Sequence, residues 1–333
     1  MTPSSHCLWL AHTAIAMQNN EMSTPPRQLS DDDIRNLFDN NEPLDVWFKA
    51  SEIVQRISPQ FNFSTSRRVF DDVLRLFDGS YPSYSRIQTP YHDLRHTLDI
   101  FICAARMLHG IHLSQTELSD EEINLVLISA LLHDIGYAQR LEEPQGSGAQ
   151  FTKTHVARGI AFMEANGDEW QLPNSWRPCL ATIIQCTNLG HNLSKIEFPS
   201  PRIRLLGQIV ASADLVGQMA DRTYLEKLLF LFLEFKEAEF GDYKNTNELL
   251  KKTRNFYNLI RTTLEDSLGG IYHRLQYHFK DWYGVERNFY VESVEGNILY
   301  LDRVISLNES EWLSMLKRHG IVKAYSEITK PSN

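Results

Sequence analysis

The chain is poor in cysteine. Cys7, Cys103, Cys179 and Cys186 are its four, and no two of them are spaced as a CxxC pair. That spacing excludes a thiolate zinc ribbon and a disulfide scaffold, and it reads as reduced thiols in a cytoplasmic protein. Positive charge is also short: 33 Lys and Arg stand against 42 Asp and Glu, a net charge of −9. A nucleic-acid partner would want a basic surface, so none is expected. A small anion held at a local cation is not excluded. No stretch reaches the roughly 18 to 20 apolar residues of a membrane span, so no membrane partner is expected either. Residues 7–17 are mildly apolar but carry His12 and lack a basic leading segment, which makes a poor signal peptide. Internal repeats and low-complexity segments are lacking too.

What remains is an ordinary globular composition, 42% hydrophobic and 23% charged, with apolar residues mostly at helical spacing. Ser30 and the acids Asp31 to Asp33 cap a first helix carrying Ile34, Leu37 and Phe38. Further helices are expected over 44–57, 66–77, 91–109, 118–133, 153–166, 176–186, 202–215 and 221–240, and one or two more over 248–282 around Gly269-Gly270. Asp221 reads as the N-cap of its helix. Residues 289–294 and 298–301 flank the short Gly-containing turn Glu295-Gly296-Asn297, which predicts a β-hairpin. A short helix over 310–318 and a mobile tail follow. The expected architecture is all-α: a poorly ordered extension (1–29), a compact multi-helix catalytic domain (30–284), and a small hairpin-plus-helix module (285–333). That module either closes over a site or mediates self-association into a homodimer; the sequence leaves both open.

Chemistry concentrates in a few positions. The apolar helix before Leu131-Leu132 ends on His133-Asp134, and Asp214 sits inside the apolar run Ile209 to Leu215, with no Lys or Arg between Arg204 and Arg222. A buried carboxylate costs several kcal/mol unless it is paired or holds a cation. His92 and His96 are four apart, so they are expected one turn apart on one helix face. Any one of these alone reads more readily as a satisfied core residue. Together, three helices offer His96, His133, Asp134 and Asp214 to one metal. Imidazole with carboxylate suits Zn, Fe or Mn, and Asp134 can bridge to a second, harder ion such as Mg or Mn.

These motifs resemble the HD-domain metal-dependent phosphohydrolases, most of all the cyclic-nucleotide phosphodiesterase branch. Pro90-Tyr91-His92-Asp93-Leu94-Arg95-His96-Thr97-Leu98-Asp99 is similar to that branch's P-Y-H-N-x-x-H-A-x-D signature. Ala130 to Asp134 resembles its helix-ending His-Asp, Ala213-Asp214-Leu215 its last ligand motif, and Thr187 to His191 its T-D-M-x-x-H segment. The resemblance implies that His96, His133, Asp134 and Asp214 hold the first of two divalent metal ions. It also implies that His92 is the general acid, that His155 and His191 lie near the second ion, and that Tyr91 contacts substrate. The implied activity is hydrolysis of a cyclic nucleotide or related phosphodiester by a metal-bridging hydroxide.

The sequence departs from the branch's pattern at several positions, though His96, His133, Asp134 and Asp214 are all present. Tyr137 stands where the branch has a further His, Asp93 replaces Asn, and Asn188 replaces Asp. The purine-reading Gln and clamping Phe fall near Ser267 and Gly270. Two alternatives therefore stand beside the first reading. One is an HD phosphohydrolase on a cyclic dinucleotide, nucleotide or other phosphoester. The other is a degenerate HD domain that binds a ligand or partner without catalysis.

Overall fold

In a computed structural model the chain is described over residues 37–188 and 193–330. The expected helix from Ser30 and the segment holding His191 lie largely outside these residues. The centre of the fold is α3 (Leu94–Leu113), in which every residue from His96 to Ile111 is buried. A helix apolar on all sides has no solvent face and must be surrounded. Around it lie α1 (Pro43–Ile57) and α2 (Ser64–Asp78), α4 (Asp120–Leu132), α7 (Pro201–Ala220) and α10 (Leu275–Tyr283).

The close approaches need small residues. A Cβ on Gly110 would fall 2.0 Å from the Arg274 carbonyl oxygen, and one on Gly217 would meet Ile100 Cδ1 at 2.8 Å. Trp47 of α1 stacks on Phe101 of α3 with centroids 5.9 Å apart. The wholly buried side chains of α4, Ile123 to Leu132 among them, each contribute on the order of 1.5–3 kcal/mol where they are large and apolar. Ser119 starts α4 with a reciprocal cap to Glu122, so this helix has a defined beginning, and it ends at the His-Asp pair.

The remaining helices are α5 (His155–Asn166) and α6 (Trp176–Gln185), α8 (Tyr224–Glu237) and α9 (Thr246–Thr262), α11 (Phe289–Ile305), α12 (Trp312–Met315) and α13 (Ile321–Ile328). The architecture is all-α with one small β element. Strands β1 (Tyr84–Ser85) and β2 (Gln139–Arg140) pair antiparallel, Tyr84 opposite Arg140 and Ser85 opposite Gln139. Among the described residues no helix is long and apolar enough to cross a membrane.

The β element is not where the sequence placed it. Residues 289–301 form α11, not a hairpin. Asn288 caps it by accepting from the Val291 amide, and Phe289, Tyr290, Val294, Asn297, Ile298, Leu301 and Val304 are buried at helical spacing. Asn297, read as a turn residue, donates to the Met219 and Asp221 carbonyls at 2.9 and 2.8 Å and so caps the end of α7. Gly296 has open space where a Cβ would be and costs the helix only about 1 kcal/mol. The tail expected to be mobile contains α13. Asp221 ends α7 rather than capping α8. Its carboxylate takes the Thr223 amide and hydroxyl and pairs with Lys227 at 3.1 Å and Arg95 at 3.3 Å.

Candidate metal centre

Three buried helices meet with their polar residues inward. His96 comes from the first turn of α3, His133 and Asp134 from the end of α4, and Asp214 from the middle of α7; all four are buried. His96 Nε2 lies 3.2 Å from His133 Nε2. Asp134 Oδ2 lies 3.2 Å from His96 Nε2 and 3.1 Å from His133 Nε2. Asp214 Oδ1 is 3.6 and 3.8 Å from the same two nitrogens. A cation with ligand bonds of ~2.0–2.2 Å brings its donor atoms to about 3.0–3.6 Å of one another at octahedral or tetrahedral angles. The observed spacings of 3.1 to 3.8 Å fit such an ion.

Two further observations favour a cation. Asp134 Oδ2 is buried and makes no hydrogen bond of acceptable geometry, despite the two imidazoles beside it. The His133 Nδ1 sits 2.9 Å from the Ala130 carbonyl oxygen, so Nδ1 carries a proton and Nε2 is the nitrogen turned to the cluster, free to ligate once a cation displaces its proton. Without a cation the charges are shared as protons. Burial opposes charge on His133, but Asp134 beside it outweighs this and raises the imidazole to about 9. Burial likewise raises Asp214. Asp134 is held well below the carboxylate range, because His133 and His92 overcome its burial. Cation binding here would displace protons.

His155 opens α5 and approaches from the other side. Its Nε2 is 3.5 Å from Asp134 Oδ1, the oxygen that does not face His96 and His133. Its Nδ1 donates to the Thr152 carbonyl at 2.7 Å, and burial lowers its pKa, so this ring offers a bare Nε2. Asp134 therefore presents one oxygen to each side.

His92 is close by but not on α3. Asp93 is the N-cap, its side chain accepting from the His96 amide, and His92 precedes it in the turn. The expectation of two histidines on one helix face is thus corrected, because the capping Asp93 ends the helix between them. The residue that holds His92 escaped the sequence reading: it is Glu234 of α8, 1% exposed. Glu234 Oε2 takes His92 Nδ1 at 2.5 Å, and Oε1 takes the Tyr91 and His92 amides at 2.6 and 3.2 Å. Burial pulls the His92 pKa down, but Glu234, Asp134 and Asp214 together raise it to about 9.

Tyr91, expected at substrate, is 3% exposed. Its hydroxyl donates to Gln218 Oε1 at 2.7 Å, and Gln218 Nε2 donates to Asp214 Oδ1 at 3.1 Å. Tyr91 thereby orients Asp214 and has no hydroxyl hydrogen left for a ligand. Gln218, one turn beyond Asp214, also escaped the sequence reading. Residue 191, with its expected outer role, lies outside the described residues.

The fold and the centre together define a helical protein with a buried His/His/Asp cluster suited to a metal ion, consistent with an HD-like fold. A family model described as Npun_R2479-like matches residues 139–281, a stretch that contains His155, Asp214 and Glu234. No curated protein matches the chain.

Proposed function

We propose that this protein is a divalent-cation-dependent phosphohydrolase acting on a phosphodiester, with His92 as the general acid. The observation that carries the reading is the placement of an acid-held imidazole, His92 on Glu234 at 2.5 Å, beside the buried His96, His133, Asp134 and Asp214 cluster. His96, His133, Asp134 and Asp214 would hold one cation, of the Zn, Fe or Mn type; Asp134 and His155 would contribute to a second, of the Mg or Mn type. When bound, such ions neutralise phosphoryl oxygens and lower the pKa of water towards neutrality.

The chain's own groups do the rest. Glu234 keeps the His92 ring protonated at Nδ1 and fixes its orientation through two backbone amides. The opposite nitrogen, Nε2, gives its proton to the departing alkoxide, a poor leaving group without it. Gln218 and Tyr91 hold the Asp214 carboxylate in place. The deep burial of all four ligands keeps bulk water from competing for the cluster.

The recognition end favours a second substrate class within the same chemistry. The Ser267 carbonyl is taken by Gln208 at 3.1 Å, and Gly270 sits in a left-handed turn at φ +62. Neither position offers a purine a bidentate partner or a ring. A phosphoester other than a cyclic purine mononucleotide is the second reading. Assay of metal-loaded protein against cyclic AMP, cyclic GMP, cyclic di-GMP and bis-p-nitrophenyl phosphate decides between them. Cleavage of the generic diester is expected, and no cleavage of any member by fully loaded protein would overturn the proposal in favour of a binding domain.

A further inference from the structure

Three rings stack across the site. Tyr137 has its centroid 4.8 Å from His92 at an interplanar angle of 23°, and 4.8 Å from His155 at 5°. It is 1% exposed and lies on the short turn Ile135–Tyr137 that leaves Asp134. The ring therefore fills the span between the proposed proton donor and the imidazole that faces Asp134 Oδ1.

The placement of this turn is over-determined. Gly136 has no side chain where a Cβ would fall 1.8 Å from the His155 carbonyl oxygen. Arg158 of α5 donates Nε to the Gly136 carbonyl at 2.9 Å and Nη2 to the Ala138 carbonyl at 2.7 Å. Glu143 holds that guanidinium with two bonds of 2.7 and 2.9 Å. The turn and the start of α5 thus form one unit. Each flanking imidazole makes its hydrogen bond at Nδ1, His92 to Glu234 and His155 to the Thr152 carbonyl. A single anchor leaves a ring free to rock about that bond. A flat partner against each face removes that freedom, and offset aromatic pairs contribute about 0.5–1.5 kcal/mol each.

We infer that Tyr137 is a positioning residue whose ring, packed between His92 and His155, sets the aim of the proton donor and of the second cation's imidazole together. This rests on the phosphohydrolase reading. Both stacking contacts are made by the ring rather than by the hydroxyl.

The test compares Tyr137→Leu, Tyr137→Met and Tyr137→Phe on two diesters, one with a p-nitrophenolate leaving group and one with a methyl or ribosyl alkoxide. Only the alkoxide needs a proton from His92. Tyr137→Leu should lose about tenfold or more in kcat on the alkoxide diester, with KM little changed, and much less on the p-nitrophenyl ester. Tyr137→Met, unbranched and of similar length, serves if the Leu variant fails to fold. Tyr137→Phe should restore both rates. Mn(II) titration followed by electron paramagnetic resonance gives a readout apart from turnover: the weaker of the two sites should lose about tenfold in affinity in the Leu or Met variant and recover in Phe. Equal losses on both diesters, no loss at all, or a Phe variant as impaired as Leu would each overturn the inference while leaving the hydrolase reading intact. Wild-type protein that binds cations but cleaves neither diester would overturn both.

Discussion

Replacing Glu234 with Gln isolates what the buried carboxylate does for His92. The side chain keeps its size, and Gln Oε1 can still take the Tyr91 and His92 amides that now bond at 2.6 and 3.2 Å. Its NH₂ group then faces His92 Nδ1, where a carboxylate oxygen stood at 2.5 Å. Two donors cannot meet, so the ring must drop its Nδ1 proton and become neutral. Asp134 and Asp214 also raise the His92 pKa, but their charge would be answered by cations in the loaded protein. Glu234 is then the main remaining cause of the raised pKa, which lies at about 9 against the ordinary 6.5 while Asp134 and Asp214 are uncompensated. That gap is worth about 3 kcal/mol between the two protonation states. A general acid works below its pKa, so activity should fall as pH rises through that value. In Glu234→Gln the falling limb should move down from its wild-type position to neutral pH or below, with kcat at pH 8 down about 10²–10⁴-fold. Cation content should be unchanged, since Glu234 is not among the ligands. The assay is a pH–rate profile on an alkoxide diester, with metal analysis alongside. An unmoved basic limb, or loss of cation, would refute the assignment.

Other consequences follow from particular contacts. His92→Asn should keep its cations yet cleave alkoxide diesters about 10²–10⁴-fold more slowly; metal loss in that variant, read by elemental analysis, would make His92 a ligand instead. Gly136→Ala puts a Cβ 1.8 Å from the His155 carbonyl oxygen, backbone that cannot swing aside, so stability should fall by about 1–3 kcal/mol or more with activity lost beyond that; an unchanged thermal melt would contradict the close approach. His109 and His278 meet Nδ1 to Nδ1 at 3.0 Å in the core, burial lowering His109 to about 4 and His278 well below its ordinary value. Both rings are neutral when folded, and the unfolded chain takes up protons first. Stability is thus lost as pH falls from 6.5 towards 4, by about 3 kcal/mol from His109 alone. Urea midpoints across that range should show the loss, and His109→Gln should flatten it; equal slopes would refute the linkage.

Much of the candidate site was legible because its polar residues interrupt apolar helices. His133-Asp134 at the end of α4 and Asp214 within α7 are polar breaks in runs that must be buried. The signal for Glu234 was of the same kind: one acid in the run from Leu228 to Phe235, which periodicity alone treats as an apolar helix. Gln218 could have been found as the residue one turn beyond Asp214, whereas Tyr137 could not, since ring stacking leaves no mark in local spacing. His92 was placed on the wrong side of a helix start because Asp93 looked like a helix residue rather than a cap. The hairpin expected over 289–301 failed for a related reason. Glu295-Gly296-Asn297 carries turn chemistry, but Tyr290, Val294, Asn297 and Leu301 also fall on one helical face, and the buried side of α7 decided between the two patterns.

The central claim is that His96, His133, Asp134 and Asp214 form a cation centre. Its most direct test is elemental analysis of purified protein after equilibration with Zn, Fe, Mn and Mg, wild type beside Asp134→Ala. The account predicts tightly held transition metal in the wild type, its loss in Asp134→Ala, and helix content by circular dichroism unchanged between them. Wild-type protein that retains no metal after loading, or an Asp134→Ala variant that retains as much, would contradict it.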